Sequence, residues 1–208
     1  MSEQHEVVGR DFRSTQFEGN MDKNLYQTIV DSYSANHDRI IGLVTDLTNE
    51  QVLWRPSDLA PSIGFHVWHL GRWADLVQEV FNGPGTQVWI KDKIATLWGF
   101  SIPDLGFADT GKGIDEDTSA SLPLPPKETL VEYVRSAFAE VDNAAAAAAK
   151  QHVQVLKMNH LAEGYFGAET PAVEVILNMA GHDNRHLGMI QMLRGLQGVD
   201  AHEPISTT

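Results

Sequence analysis

The apolar positions of the chain recur mainly with the period of an α-helix. Between Asp22 and Thr48 they fall on one stripe, as in an amphipathic helix packed against a core: Leu25, Ile29, Tyr33, Ile40, Val44 and Leu47. Residues 1–20 lack such a period, and we interpret them as a loosely docked arm. After the first helix, Thr48-Asn49-Glu50-Gln51 has the form of a capping box and predicts a short helix that ends before Pro56.

The same pattern predicts a second and a third long helix. The second helix follows Pro61-Ser62, is apolar over more than half its girth and ends at Asn82-Gly83. The third helix begins at Pro125-Pro126 and runs into the alanine-rich segment 144–149.

A fourth helix completes the predicted fold. It begins with Thr170 as its N-cap and Pro171 in its first turn, and it ends at Gly195. Four long helices with few strand-like alternations predict an all-α four-helix bundle. The segment 83–125 between helices two and three is rich in proline and glycine, and we expect a long ordered loop there.

Length and composition fit one globular domain. The chain has 208 residues, of which 42% are hydrophobic, enough for a single domain with a core. We expect the bundle at 21–195, the arm at 1–20 and a C-terminal tail at 196–208. The polar start and the lack of a bilayer-length apolar run predict a cytoplasmic protein without membrane contact.

The charge and cysteine content of the chain limit the partners and the reactions to be expected. With 28 acidic and 15 basic residues the net charge is −13, which argues against nucleic acid as a partner. The chain has no cysteine, so it has no disulfide, thiolate ligand or cysteine nucleophile of its own. Any thiol chemistry needs a thiol from outside.

Of the nine histidines, His182 and His186 matter most. A spacing of four residues places both rings on one face of the fourth helix, in line with apolar residues that face the bundle interior. In the second helix His66 or His69 could add a third nitrogen across the bundle. Three imidazoles would bind zinc, nickel or iron and leave one coordination position open for water or substrate. The alternative is that these are core histidines, hydrogen-bonded to the backbone or to each other.

Three segments resemble the DinB-like superfamily: SIGFHVWHLGRWAD, VWIKDKIATLWGF and GHDNRHLGMIQMLRG. Together they cover positions from about 62 to 195. Members of this superfamily are four-helix bundles with one histidine on the second helix and an HxxxH or ExxxH pair on the fourth. The resemblance therefore implies one divalent metal ion held by His69, His182 and His186. His66 is then a neighbour or an alternative ligand.

Several residues near these histidines are candidates for other roles. Arg72 and Arg185 could each hold a substrate carboxylate, or pair with an acid on the bundle surface. We expect Trp73 to line a pocket over the metal and Trp68, Trp89 and Trp98 to pack in the core. Many relatives have Glu-Asp where this chain has an alanine followed by Asp75, so a carboxylate that supports the metal ligand is either missing here or supplied by Asp75 alone. Asp183 projects away from the ion, toward a neighbouring helix.

The resemblance also implies a class of reaction. Characterised relatives include thiol transferases that use bacillithiol or mycothiol and a mycothiol-dependent maleylpyruvate isomerase, in which a metal activates the thiol. We therefore expect a metal-dependent thiol S-transferase that joins a low-molecular-weight thiol to an electrophilic small molecule. The alternatives are a hydrolase with metal-bound hydroxide and a metal-binding bundle without catalysis. The resemblance further implies a homodimer, and no residue is assigned as catalytic.

Overall fold

The computed structural model describes residues 12–101 and 105–202, with side chains from position 25 onward. Its elements follow in the order α1 (Phe12–Thr45), α2 (Asn49–Leu53), α3 (Ile63–Asn82), α4 (Val88–Lys91), α5 (Ile94–Trp98), α6 (Glu116–Ser121), α7 (Lys127–Gln151), β1 (Val155–Lys157), α8 (Glu163–Phe166), β2 (Glu169–Pro171) and α9 (Ala172–Leu196). The four long helices α1, α3, α7 and α9 form the body of the protein.

These four helices pack around one apolar core. α1 contacts α7 and α9, and α3 contacts the same two helices, so α1 and α3 lie on one diagonal of the bundle. Each helix buries side chains at the centre, including Ile40, Trp68, Leu76, Val141 and Ile190. The prediction of an all-α four-helix bundle is confirmed. No helix within the described ranges is long and apolar enough to cross a membrane.

The first helix begins earlier than its apolar stripe indicates. α1 starts at Phe12 rather than at Asp22, so residues 12–20 of the predicted arm are helical, and residues 1–11 lie outside the described part of the chain. No proline interrupts the sequence between Phe12 and Asp22. Extending an existing helix gains one hydrogen bond per residue without a new nucleation step. The stripe therefore predicts the helix but not its first residue.

Side-chain caps open α2 and α3. The Thr48 hydroxyl accepts from Gln51 N at 3.2 Å while the Gln51 side chain accepts from Thr48 N at 2.8 Å, which confirms the predicted capping box. At α3 the Ser62 hydroxyl accepts from Phe65 N at 3.1 Å. Gly83 ends α3 with a φ of 98°, a value that favours glycine.

The start of α9 differs from the prediction. Thr170 is not an N-cap, because it lies in β2, which pairs antiparallel with β1, and its hydroxyl donates to the Phe166 carbonyl at 2.6 Å. The residue before a proline is biased toward extended backbone, so α9 begins at Ala172, after Pro171. The hairpin strands have three residues each, too few for an alternating pattern to predict them.

The connection between α3 and α7 folds back onto α3. It contains the short helices α4, α5 and α6 and an antiparallel bridge between Phe107 and Lys112, and residues 102–104 lie outside the description. Trp89 is 3% exposed and contacts Trp68 of α3 with ring centroids 6.2 Å apart. The predicted long loop therefore packs against the part of α3 that carries the histidines.

Candidate metal centre

Three histidines from two facing helices meet inside the bundle. His69 lies on α3, His182 and His186 lie one turn apart on α9, and one ring nitrogen of each lies within 4.8 Å of the others. His69 and His182 are each 7% exposed. The three residues that the sequence indicated as ligands are brought together, and they could hold a metal ion.

A backbone carbonyl determines where His69 carries its proton. Nδ1 of His69 lies 2.5 Å from the carbonyl oxygen of Thr110, which can only accept a hydrogen bond, so Nδ1 is the donor. Nε2 of the neutral ring then presents a lone pair, and it lies 3.1 Å from Nε2 of His182. Metal-ligating histidines are commonly oriented by such a bond from the other ring nitrogen.

His182 has a nitrogen without a hydrogen-bond partner. Its Nδ1 is buried and unpaired among the described residues, and Oδ1 of Asp183 is 3.8 Å away. If Nδ1 carries the proton, it faces this carboxylate, and the lone pair on Nε2 faces that of His69. In this form the two lone pairs could bind one cation; with the proton on Nε2 instead, His182 would donate a hydrogen bond to Nε2 of His69. Two imidazole nitrogens bound tetrahedrally at about 2.0–2.1 Å from one zinc ion are about 3.3 Å apart, so the observed pair fits a metal ion.

Burial keeps the side chains of His66, His69 and His186 neutral. Burial, together with the nearby His182, lowers the pKa of His69 to about 3. Burial lowers the pKa of His66 to about 4 and, with the neighbouring histidines, that of His186 to about 2. Neutral imidazole is the form that binds a metal ion, so protons compete weakly for these nitrogens near neutral pH.

His66 lies at the edge of the cluster. Its Nδ1 is 2.9 Å from Nδ1 of His186, a hydrogen-bond distance at which one neutral ring donates and the other accepts. The group of three converging nitrogens contains His69 and not His66. His66 is therefore placed to orient His186, as Thr110 orients His69.

Aromatic rings enclose the cluster. Trp73 is 2% exposed, and its ring centroid lies 5.7 Å from that of His182 and 6.3 Å from that of His69. Phe65 stacks on His69 with centroids 5.8 Å apart. Tyr165 packs on Trp73 at 4.7 Å and is 38% exposed. Trp73 therefore lies beside two of the candidate ligands, and its role in lining a substrate pocket stays a prediction.

The two arginines near the ligands differ in their surroundings. Arg72 is 1% exposed, and its five N–H groups all donate to acceptors within the protein: Asp75, Tyr133, Gln87 and the carbonyls of Ala108 and Asp109. Its acidic partner lies in the interior and not on the surface, and no N–H of Arg72 is left for a substrate. Arg185 is exposed beside His186, and its contact with a substrate stays a prediction.

A second kind of buried histidine lies next to the cluster. His37 of α1 is 2% exposed, with Nδ1 2.8 Å from Oδ1 of Asp142 and Nε2 3.3 Å from Oδ2 of Asp183. Burial lowers the pKa of His37, but the contacts with the two carboxylates outweigh burial and raise it to about 9. His37 is thus a cation. Asp183 contacts the neighbouring helix, as predicted, and lies beside His182.

The sequence gives little or no indication that Thr110 and Asp142 matter in this region. Thr110 acts through its backbone carbonyl, which does not depend on the residue type. Asp142 lies on α7, 105 positions from His37. The sequence indicates Asp142 only through its position four residues after Phe138, because this spacing places both on the face of α7 packed against α1. Phe138 stacks on His37 with ring centroids 3.9 Å apart.

The fold and the histidine cluster together define a class: an all-α bundle with a three-histidine candidate metal centre. Residues 32–190 match the family model of the DinB superfamily, a range that includes all three histidines. Because the match covers most of the chain, this protein belongs to the DinB superfamily, which confirms the resemblance seen in its sequence motifs. A comparison with curated proteins finds no match.

Proposed function

We propose that this protein is a metal-dependent thiol S-transferase that joins a low-molecular-weight thiol to an electrophilic small molecule. The observation that carries the proposal is the group of three buried histidines whose ring nitrogens converge within 4.8 Å. Three nitrogen ligands leave a divalent ion with an open coordination position, and they suit zinc, nickel or iron.

The ligand set supports thiol chemistry through its charge. His69, His182 and His186 add no negative charge, so a divalent ion held by them would lower the pKa of a thiol in its open position. The rings of Phe65 and Trp73 beside the histidines exclude water and suit the carbon skeletons of organic substrates. The chain has no cysteine, so the thiol comes from solution.

The proposed reaction exchanges one bond for another. The thiol gives its S–H proton to solvent, its sulfur forms a bond to an electrophilic carbon, and the leaving group departs with the electron pair of the broken bond. No oxidant or reductant is required. In this proposal Trp73 forms one wall of the substrate site, and the exposed Arg185 contacts an anionic group of the thiol or of the electrophile.

Cobalt-substituted protein tests the proposal. We expect bacillithiol, mycothiol or glutathione to produce thiolate-to-metal charge-transfer absorption, and a chloronitrobenzene electrophile then to consume the thiol. His69→Ala is expected to abolish both signals, since it removes a ligand. His160→Ala is the control, because His160 is exposed and is not among the three converging histidines.

The other outcomes distinguish the alternatives. Absence of the charge-transfer bands at roughly millimolar thiol, tested on metal-loaded protein, would overturn the transfer reaction. Cleavage of an ester or amide without thiol, lost in His69→Ala, would favour the hydrolase. Stoichiometric metal binding with neither activity would favour a metal-binding bundle without catalysis.

We also propose that the protein is a homodimer that forms through α9. An apolar stripe on this helix is uncovered, since Leu177 and Met192 are 58% and 59% exposed and Leu196 is 59% exposed. A side chain at Gly181 or Gly188, on the same face, would meet nothing within 4 Å. Exposed apolar side chains beside open glycine positions are often found at an interface.

A further inference from the structure

Arg72 links the loop of residues 105–112 to α3. Its Nε donates to the Asp109 carbonyl at 3.0 Å, and its Nη2 donates to the Ala108 carbonyl at 3.3 Å. Nη1 donates to Oδ2 of Asp75 at 3.1 Å, and this carboxylate is fully buried one turn further along α3. The guanidinium is therefore fixed on the helix side and holds the loop by two backbone carbonyls.

The two residues that Arg72 holds have strained backbone. φ is 49° at Ala108 and 56° at Asp109, in the left-handed region that side chains other than glycine seldom adopt. Such residues keep this conformation only where their surroundings impose it. The bonds from Arg72 to both carbonyls supply that constraint.

The next residue in the loop supplies the hydrogen-bond partner of His69. Thr110 is fully buried, its N–H donates to the Phe107 carbonyl at 2.9 Å, and its own carbonyl accepts from Nδ1 of His69. Arg72 and His69 are three residues apart on α3, so they lie on the same side of the helix. One stretch of helix thus carries both the histidine and the residue that positions its partner.

We propose that Arg72 is a positioning residue of the metal centre: it holds the loop of residues 105–112 so that the Thr110 carbonyl fixes the tautomer and orientation of His69. The inference rests on the proposed metal centre. Hydrogen bonds to the outer nitrogen of a ligating histidine typically change metal affinity by about 10–100-fold. Loosening the loop is expected to have an effect of that size.

Two substitutions loosen the loop from different sides. Arg72→Lys keeps a positive charge beside Asp75 but cannot reach both carbonyls with one ammonium group. Ala108→Val leaves Arg72 and Asp75 intact and puts a β-branched side chain at a φ of 49°, which it strongly disfavours. The second variant decides the question if the first does not fold.

Arg194→Lys is the matched control. Arg194 is also 1% exposed, pairs with Asp46 at 2.6 Å and donates to the Asp200 carbonyl at 2.7 Å. It lies on α9 and does not touch the loop. Its substitution tests what the loss of a buried guanidinium alone does to folding and to metal binding.

The first readout is the tautomer of His69 in metal-free protein, measured from the nitrogen chemical shifts of its ring by NMR. We expect the Nδ1–H form in the wild type and in Arg194→Lys, and a mixture of tautomers in Arg72→Lys and Ala108→Val. The second readout is zinc affinity by competition with a chelator, expected to fall about 10–100-fold in the two loop variants only.

The results separate this inference from the proposed function. A wild type that binds no zinc would refute the metal centre, whatever the tautomer of His69. A wild type that binds zinc, with folded loop variants that keep both its affinity and the Nδ1–H form, would overturn the role of Arg72. Equal losses of affinity in Arg72→Lys and Arg194→Lys would overturn it as well.

Discussion

The buried histidines of this bundle have pKa shifts of opposite sign because their neighbours differ. Burial, together with the nearby His182, lowers the pKa of His69 to about 3, and the opposing effects of the Thr110 carbonyl and of Asp183 do not outweigh it. His37 is as deeply buried, but it lies between Asp142 and Asp183, and its pKa rises to about 9. Burial favours the neutral form, and a pair of carboxylates reverses that preference.

The raised pKa of His37 predicts a loss of stability at alkaline pH. The folded pKa of about 9 exceeds the unfolded value of about 6.5, so the stabilisation is complete below pH 6.5 and is lost as pH rises through 9. We expect the free energy of unfolding, measured in urea, to fall by roughly 2.5 kcal/mol between pH 7 and pH 10 through this group.

His37→Phe isolates this contribution. Phenylalanine can stack on Phe138 as the imidazole does, but it does not titrate. The difference in unfolding free energy between wild type and variant should shrink as pH rises from 7 to 10. A difference that stays constant over that range would contradict the charged state of His37.

The assignment of His69, His182 and His186 as ligands predicts that histidine substitutions lower metal affinity by different amounts. Elemental analysis should find about one zinc, nickel or iron ion per chain in the wild type. His69→Ala and His186→Ala should lower the affinity by more than 100-fold, since losing a ligand costs more than losing the partner of one. His66→Ala should lower it by about 10-fold, because His66 contacts Nδ1 of His186. Full metal content in His69→Ala would refute the assignment.

At the scale of elements, the long helices were predictable because each repeats an apolar stripe toward one core. The caps at Thr48 and Ser62 also act within four residues of their own position. The β1–β2 hairpin is different, because its strands are three residues long and are held by pairing with each other. No local pattern in the sequence predicts that these two strands pair.

The candidate site was predictable only in part, because some of its contacts follow from local spacing and others join distant segments of the chain. His182 and His186 are one turn apart on a helix, so their shared face follows from spacing. The choice of His69 over His66 depended on family resemblance. Thr110 is 41 positions from His69 and contributes a carbonyl, so its role follows from the path of the chain and not from its side chain.

Gly111, within the loop of residues 105–112, and Gly113, just after it, allow a matched test of how the loop affects the site. A side chain at Gly111 would approach a ring carbon of Trp68 to 2.7 Å, whereas one at Gly113 would meet nothing within 4 Å. Both have positive φ, 82° and 87°, so alanine strains the backbone at each by about 1 kcal/mol or more.

Only Gly111→Ala should also weaken zinc binding, by about 10-fold, because the clash pushes the Thr110 carbonyl away from His69. Urea denaturation and a zinc competition assay measure the two effects separately. Equal zinc affinity in Gly111→Ala and Gly113→Ala would show that the loop does not influence the site.

At the scale of the whole molecule, the uncovered face of α9 predicts a dimer that one charge disrupts. Met192→Glu places a carboxylate at a 59% exposed position of this face and should give a monomer by size-exclusion chromatography with light scattering. Leu59→Glu is the control, since Leu59 is 77% exposed and lies beside Arg55 and Ile114 rather than on α9. A monomeric wild type would refute the dimer.

The position of Trp73 gives the protein an optical signal of its own. The chain has five tryptophans, and Trp73 is the one whose ring contacts both His69 and His182. A paramagnetic ion such as Co²⁺ or Ni²⁺ quenches the fluorescence of an adjacent indole, whereas Zn²⁺ leaves it bright. Intrinsic emission can therefore report in real time, without a label, whether added Co²⁺ or Ni²⁺ binds beside these two histidines.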